Sequence, residues 1–245
     1  MCSKLAGARV LKFKIGGLKK SSLLDYPGKI SAIVFTHGCN FRCGYCHNPG
    51  LISLSEVSCP PAYTPNAFFD FLKRRTGKLD GVVITGGEPC LQPDLESFIK
   101  EIRKLGFLVK LDTNGYMPNV LSGLLDNNLL DYAAMDIKGP LEKYEEIVGV
   151  SVNISNIQKS ISLLLDCNIE YEFRTTVLKS QLNIEDFKVI SELIKGAKRY
   201  YLQKFEPNDI FNPALNAEKN YSKAEYSDIL PVLEKNIKLV EVRYF

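Results

Sequence analysis

Short apolar runs alternate along this chain with longer stretches in which apolar residues recur every three or four positions. Residues 30–36 (ISAIVFT) form a continuous, β-branched apolar run, which predicts a buried strand. Pro65 opens the helical stretch NAFFDFLKRRTG, closed by Gly77, and residues 81–85 (GVVIT) give a second strand. From Pro93, the apolar residues Leu95, Phe98, Ile99, Ile102 and Leu105 keep helical spacing until Gly106 stops them. Residues 107–111 and 132–137 predict a third and a fourth strand. Ile154, Ile157, Ile161, Leu164 and Leu165 stripe the next helix. Residues 169–178 are a long fifth strand and, after one more helix, 199–205 a sixth. A helix near 222–233 and a strand near 237–242 finish the chain.

Strands that alternate with helices imply right-handed βαβ units and a parallel sheet. Six or so units predict an α/β fold, a partial (β/α)6 barrel with parallel strands and the helices outside. We read 1–245 as one domain, with a core over about 14–206 and a C-terminal helix and strand over about 207–245. No repeat or linker interrupts it, and no long insertion between strands is read that would roof the mouth of the barrel.

Composition agrees with a core of that size: of 245 residues, 45% are hydrophobic and 24% charged. A net charge of +3, from 31 basic and 28 acidic residues, argues for neither a nucleic-acid nor a membrane partner. The opening MCSKLAGARVLKFK has no apolar secretory core, and no apolar run approaches the ~20 residues of a spanning helix. A cytoplasmic location is expected.

The unusual residues fall just after the predicted strands. Cys39, Cys43 and Cys46 (GCNFRCGYCHNPG) follow the first, Gly86-Gly87-Glu88-Pro89 the second and Asp112-Thr113-Asn114-Gly115 the third. Asp136 and Lys138 end the fourth, Arg174 lies in the fifth, and Gln203 ends the sixth. Parallel strands of this kind converge at their C-terminal ends, where active sites are built. Taken singly, a Gly-Gly-Glu-Pro or Asp-Thr-Asn-Gly stretch reads as a turn, and Lys138 or Arg174 as a solvated lysine or a structural ion pair. Their shared placement makes them a candidate site.

Four other cysteines, Cys2, Cys59, Cys90 and Cys167, are scattered and read as incidental or buried thiols. For the cluster of three, a structural zinc would want a fourth ligand, and only His37, His47 or a distant cysteine could supply it. His47 adjoins Cys46, which makes shared ligation awkward. A [4Fe–4S] cluster held by three thiolates leaves one iron open, which is a catalytic feature. We adopt the cluster reading.

The spacing Cys-x3-Cys-x2-Cys, with an aromatic residue before the last cysteine, resembles the radical S-adenosylmethionine enzymes. The resemblance extends through Asp25-Tyr26-Pro27-Gly28, FTHGCNFRCGYCHNPG, TGGEP, DTNG, MDIK and FRTTV, roughly Lys14 to Glu206, to the glycyl-radical enzyme activases. The opening GGLKKSSLLDYPGK looks most like activating proteins of anaerobic ribonucleoside-triphosphate reductase, with pyruvate formate-lyase activases close by.

The resemblance implies the cofactors and the chemistry. S-adenosylmethionine chelates the open iron, an electron from the cluster breaks its S–C5′ bond, and the resulting radical takes hydrogen from a glycine Cα in a partner enzyme. Flavodoxin or ferredoxin would supply the electron. It also implies roles for the site residues. Gly86, Gly87 and Glu88 would hold the methionine amino group, the glycines because a missing Cβ lets backbone approach a ligand. Asp112 and Asp136 would face the sulfonium, and Lys138 and Arg174 the carboxylate or ribose. Tyr45, His47 and Asn48 would edge the adenine side. Gln203 stands where some pyruvate formate-lyase activases carry histidine, which favours the reductase-activating branch. Cys90, after Gly-Gly-Glu-Pro, departs from the expected small polar or aliphatic residue. Two other classes compete: a radical enzyme acting on a small molecule, and a zinc-stabilised binding module.

Overall fold

The computed structural model describes residues 11–53 and 63–243; Cys2 and Cys59 lie outside them. Eight strands form one sheet in sequence order: β1 (Ile15–Ser22), β2 (Ser31–Thr36), β3 (Gly81–Gly86), β4 (Leu108–Thr113), β5 (Tyr132–Asp136), β6 (Glu170–Val177), β7 (Tyr200–Lys204) and β8 (Val240–Arg243). β1 pairs antiparallel with β2, and every later neighbour is parallel. Because β1 and β8 are the two edges and do not pair, the sheet stays open on one side.

Helices fill the crossovers: α1 (Pro65–Lys73), α2 (Leu95–Lys104), α3 (Pro118–Asp126), α4 (Tyr144–Val148), α5 (Ile154–Leu165), α6 (Ile184–Leu193) and α7 (Lys223–Glu234). Local chemistry sets their ends. The Thr64 side chain accepts from Ala67 N and Pro65 opens α1, while Asn183 and Ser222 form reciprocal capping boxes on α6 and α7. The expected apolar stripe of α2 is buried, and Phe98 stacks between Phe13 (centroids 3.8 Å apart) and Phe68 (5.3 Å). Truncating a ring so enclosed, as in Phe98→Ala, costs about 3–5 kcal/mol.

The predicted α/β architecture is present as a parallel-dominated open sheet. Three elements were not foreseen: β1, whose Gly16-Gly17 and Lys19-Lys20 break any alternation, and the short helices α3 and α4. The 207–243 segment is not an appendage, because α7 and β8 extend the same sheet. On the inner face, Tyr26, Ile33, Val83 and Tyr132 form a small apolar cluster. The strands' C-terminal ends turn polar. No helix among the described residues is long and apolar enough to cross a membrane.

Candidate active site

One cavity of about 240 Å³ lies at the C-terminal ends of β2 to β7, and all fourteen residues singled out from the sequence line it. Cys39, Cys43, Tyr45, Cys46, His47 and Asn48 come from the loop after β2; Gly86, Gly87 and Glu88 from β3 and its turn; Asp112 from β4. Asp136 and Lys138 come from β5 and its loop, Arg174 from β6 and Gln203 from β7. Phe41, Ile52, Thr85, Thr113, Asn114 and Thr176 complete the wall. A groove of about 800 Å³ between α3 and α5 holds none of these residues.

The cysteine loop has little regular structure, so its backbone is satisfied from outside. Gly38 N donates to Leu51 O (2.7 Å), Cys39 N to Ile52 O (3.2 Å) and Arg42 N to Val148 O at the end of α4 (2.8 Å). The Arg42 guanidinium donates to the carbonyls of Cys39 and Phe41, both at 2.8 Å. From beyond β7, Phe211 N reaches Cys46 O (3.0 Å) and Asn212 N reaches Gly44 O (2.8 Å). His47 Nε2 lies 2.7 Å from Glu206 O. The 206–217 segment is therefore a strap across the cysteine loop. Residues of the cysteine loop between 39 and 52 line one side of the cavity, and the strap backs that loop from outside.

The glycines have a packing reason in addition to the ligand approach expected of them. A Cβ on Gly87 would stand 2.1 Å from Gly38 O, and one on Gly86, whose φ is +112°, would stand 2.3 Å from Thr36 N. Gly87 N donates to Thr36 O (2.9 Å) and Glu88 N to Gly38 O (2.8 Å). The missing Cβ atoms thus let the β3 turn lie against β2 and the cysteine loop. The Glu88 carboxylate is likewise committed within the fold. It accepts from Cys90 N (3.0 Å), Thr113 Oγ1 (2.7 Å) and Asn114 N (2.7 Å), tying the β3 turn to the β4 loop. Burial raises its pKa against those three donors. Cys90, unaccounted for in the sequence, is a buried thiol 3.6 Å from Thr113 Oγ1 in the same knot.

Across the cavity the charged residues pair with one another. Arg174 Nη1 is 3.0 Å from Asp112 and its Nη2 is 2.9 Å from Asp136, while Lys138 Nζ is 3.0 Å from Asp136. Burial would raise both aspartates, but their cations outweigh it. Arg174 and Lys110 hold Asp112 below its ordinary value, and Lys138 and Arg174 hold Asp136 down at about 2. Lys138 also lies 5.6 Å over the Tyr45 ring. The Tyr45 hydroxyl is buried without a hydrogen-bond partner among the described residues, an unmet group at the cavity wall. Sequence reading missed Arg42, which stands inside the cysteine motif, and Lys110, which stands in none; each looks like a solvated charge.

The donor set fits an iron–sulfur cluster. Three thiols line one cavity, yet among the described residues no three His, Cys, Asp or Glu side chains gather closely enough for one metal ion. A four-iron cluster spreads its ligand sulfurs more widely than a single ion does. His47 Nε2 is engaged by Glu206 O, 2.7 Å away. Burial pushes the Cys39 thiol up to about 12 and raises Cys43 as well, so ligation must supply the charge that holds them as thiolates.

Comparison with known proteins agrees with this geometry. The Radical SAM superfamily pattern matches residues 33–194. A Methanocaldococcus jannaschii protein with the provisional name glycyl-radical enzyme activating enzyme is 32% identical over 238 residues, 95% of this chain and 97% of its own. The pyruvate formate-lyase-activating enzyme of Clostridium pasteurianum is 27% identical over 207 residues, 76% of this chain and 85% of that protein. Among solved structures, Streptococcus suis SuiB bound to S-adenosylmethionine aligns with a TM-score of 0.65 at 13% identity, over 84% of this chain. This chain spans 48% of SuiB's length, and that likeness concerns the fold alone.

Proposed function

This chain belongs to the radical SAM superfamily, and within it to the glycyl-radical enzyme activating enzymes; from that premise we propose that its target is an anaerobic ribonucleoside-triphosphate reductase. The observation that carries the choice of target is the stretch GGLKKSSLLDYPGK, which resembles activators of that reductase. It forms β1 and the turn after it, on the open edge of the sheet. An open edge admits a backbone loop from another protein, where a closed barrel holds only what fits its interior.

Enzymes of this family use a [4Fe–4S] cluster and S-adenosylmethionine, which together supply an organic radical able to take hydrogen from a glycine Cα. Cys39, Cys43 and Cys46 would hold the cluster. Lys138 and Arg174 would meet the methionine carboxylate, and their ion pairs with Asp112 and Asp136 support that reading by fixing the two cations at the cavity wall. The turn backbone at Gly86, Gly87 and Glu88 flanks the cysteine loop and offers its polar groups to the methionine amino end. Tyr45, His47, Asn48 and Gln203 edge the adenine side, the His47 ring through its bond to the strap. Phe41 and Ile52 add an apolar patch to the cavity wall. Flavodoxin or ferredoxin is the proposed electron donor.

Pyruvate formate-lyase is a second target, favoured by the match to the Clostridium pasteurianum enzyme. The two are separated by incubating reconstituted protein anaerobically with S-adenosylmethionine, a reductant and each purified partner in turn. A glycyl-radical electron paramagnetic resonance doublet with the reductase supports the proposal. A doublet with the lyase alone transfers the assignment. Cofactor cleavage with no doublet in either overturns both.

A further inference from the structure

Five side chains make one line of ion pairs on the inner face of the sheet: Lys110, Asp112, Arg174, Asp136 and Lys138. The first contact, Lys110 Nζ to Asp112 Oδ1, is 2.5 Å, and the others are given above. Four of the five line the cavity. Lys110 does not; it lies behind Asp112 on the same strand and is 2% exposed. Strand alternation puts both side chains on the inner face, and register places Lys110 beside Tyr132, whose ring centroid is 5.7 Å from Nζ. The next acid on that face, Glu172, is already held by two bonds from Arg243 (2.9 and 3.0 Å) and one from the Tyr132 hydroxyl (2.7 Å).

A lysine buried this deeply is costly unless its charge is used. Asp112 already has Arg174. Without Lys110, two cations would face two carboxylates, and Arg174 would be divided between both acids with nothing left for an anionic ligand. With Lys110, three cations face two carboxylates. Arg174 can then be shared with an incoming carboxylate while Asp112 stays compensated from below. We propose that Lys110 is a positioning residue for S-adenosylmethionine: by holding Asp112 from behind the cavity wall, it frees Arg174 and leaves one positive charge for the ligand's carboxylate. The proposal rests on placing the methionine end at these residues, and not on which protein is activated.

The test is equilibrium binding to reconstituted protein of two ligands, S-adenosylmethionine and 5′-methylthioadenosine, which keeps the adenosine and sulfur but lacks the amino-acid end. Lys110→Met retains the length of the stem and removes the charge. It should weaken S-adenosylmethionine about 10-fold, a modest effect because the charge acts through Asp112 from behind the cavity wall, and leave 5′-methylthioadenosine and iron content unchanged. Equal weakening of both ligands would reduce Lys110 to a structural part, and no weakening of either would remove it; both results overturn the proposal. Arg174→Met checks the placement separately. Loss of S-adenosylmethionine binding there, with none in Lys110→Met, sinks the role of Lys110 alone, whereas unchanged binding in both sinks the placement as well. If Lys110→Met does not fold, Lys110→Gln, which removes the charge but keeps a polar head group, carries the same expectation.

Discussion

At the residue scale, Gly87 and Gly38 couple the two motifs that a sequence presents as separate. The Cβ of any substitution at Gly87 would meet Gly38 O at 2.1 Å, and that carbonyl adjoins the first cysteine. Gly87→Val should therefore lower iron per chain after anaerobic reconstitution, together with S-adenosylmethionine affinity. Full iron with weakened affinity alone would return the glycine to the ligand-approach role. Cys90→Ala and Cys167→Ala should keep full iron, while Cys39→Ala, Cys43→Ala or Cys46→Ala should lose the cluster. Asp136 gives a pH signature. Its pKa is lowered from 3.8 to about 2, so its contribution, up to about 2 kcal/mol, is complete above the unfolded value and lost as pH falls through about 2. Urea midpoints of apo-protein should show Asp136→Asn less stable than wild type at pH 5, with the gap closing near pH 2; a constant gap would contradict the pairing. Asp112 and Asp136 were legible because each stands at or next to a strand's C-terminal end, where packing has little use for a charge, and Arg174 because it falls in the FRTTV stretch. Lys110 and Arg42 were not: a lysine inside a strand and an arginine between cysteines look like solvent-facing residues until the inner face and the loop carbonyls are seen.

At the element scale, the strap after β7 holds a loop that has little structure of its own. Two of its amides end on Cys46 O and Gly44 O, so removing one should loosen the cysteines without touching them. Asn212→Pro deletes the donor to Gly44 O, worth about 0.5–1.5 kcal/mol, and should speed iron loss to a chelator several-fold. An unchanged rate would show that the loop holds its shape unaided. The strands β2 to β7 and helices α1, α2, α5 and α7 could be read from periodicity, since each buries a continuous run or one clean stripe. β1 could not, because its glycines and exposed lysines follow neither period, and its place is set by pairing with β2. Nor did any local sequence signal announce the strap, whose bonds are made by backbone atoms.

At the scale of the whole molecule, the unpaired edges β1 and β8 leave the sheet open beside a cavity that collects charge from four strands. A peptide carrying the partner's glycine should be a poor substrate, far weaker than the intact partner, because it loses its ordering entropy on binding. Equal apparent affinities for peptide and partner would count against recognition of a folded surface. The most direct measurement uses intact partner reductase deuterated at glycine Cα, incubated anaerobically with the reconstituted enzyme, S-adenosylmethionine and a reductant. Mass spectrometry of the 5′-deoxyadenosine then reads where its new hydrogen came from. Deuterium in that product is the predicted result; its absence while the cofactor is cleaved, with label arriving instead from a deuterated small metabolite, would contradict the account.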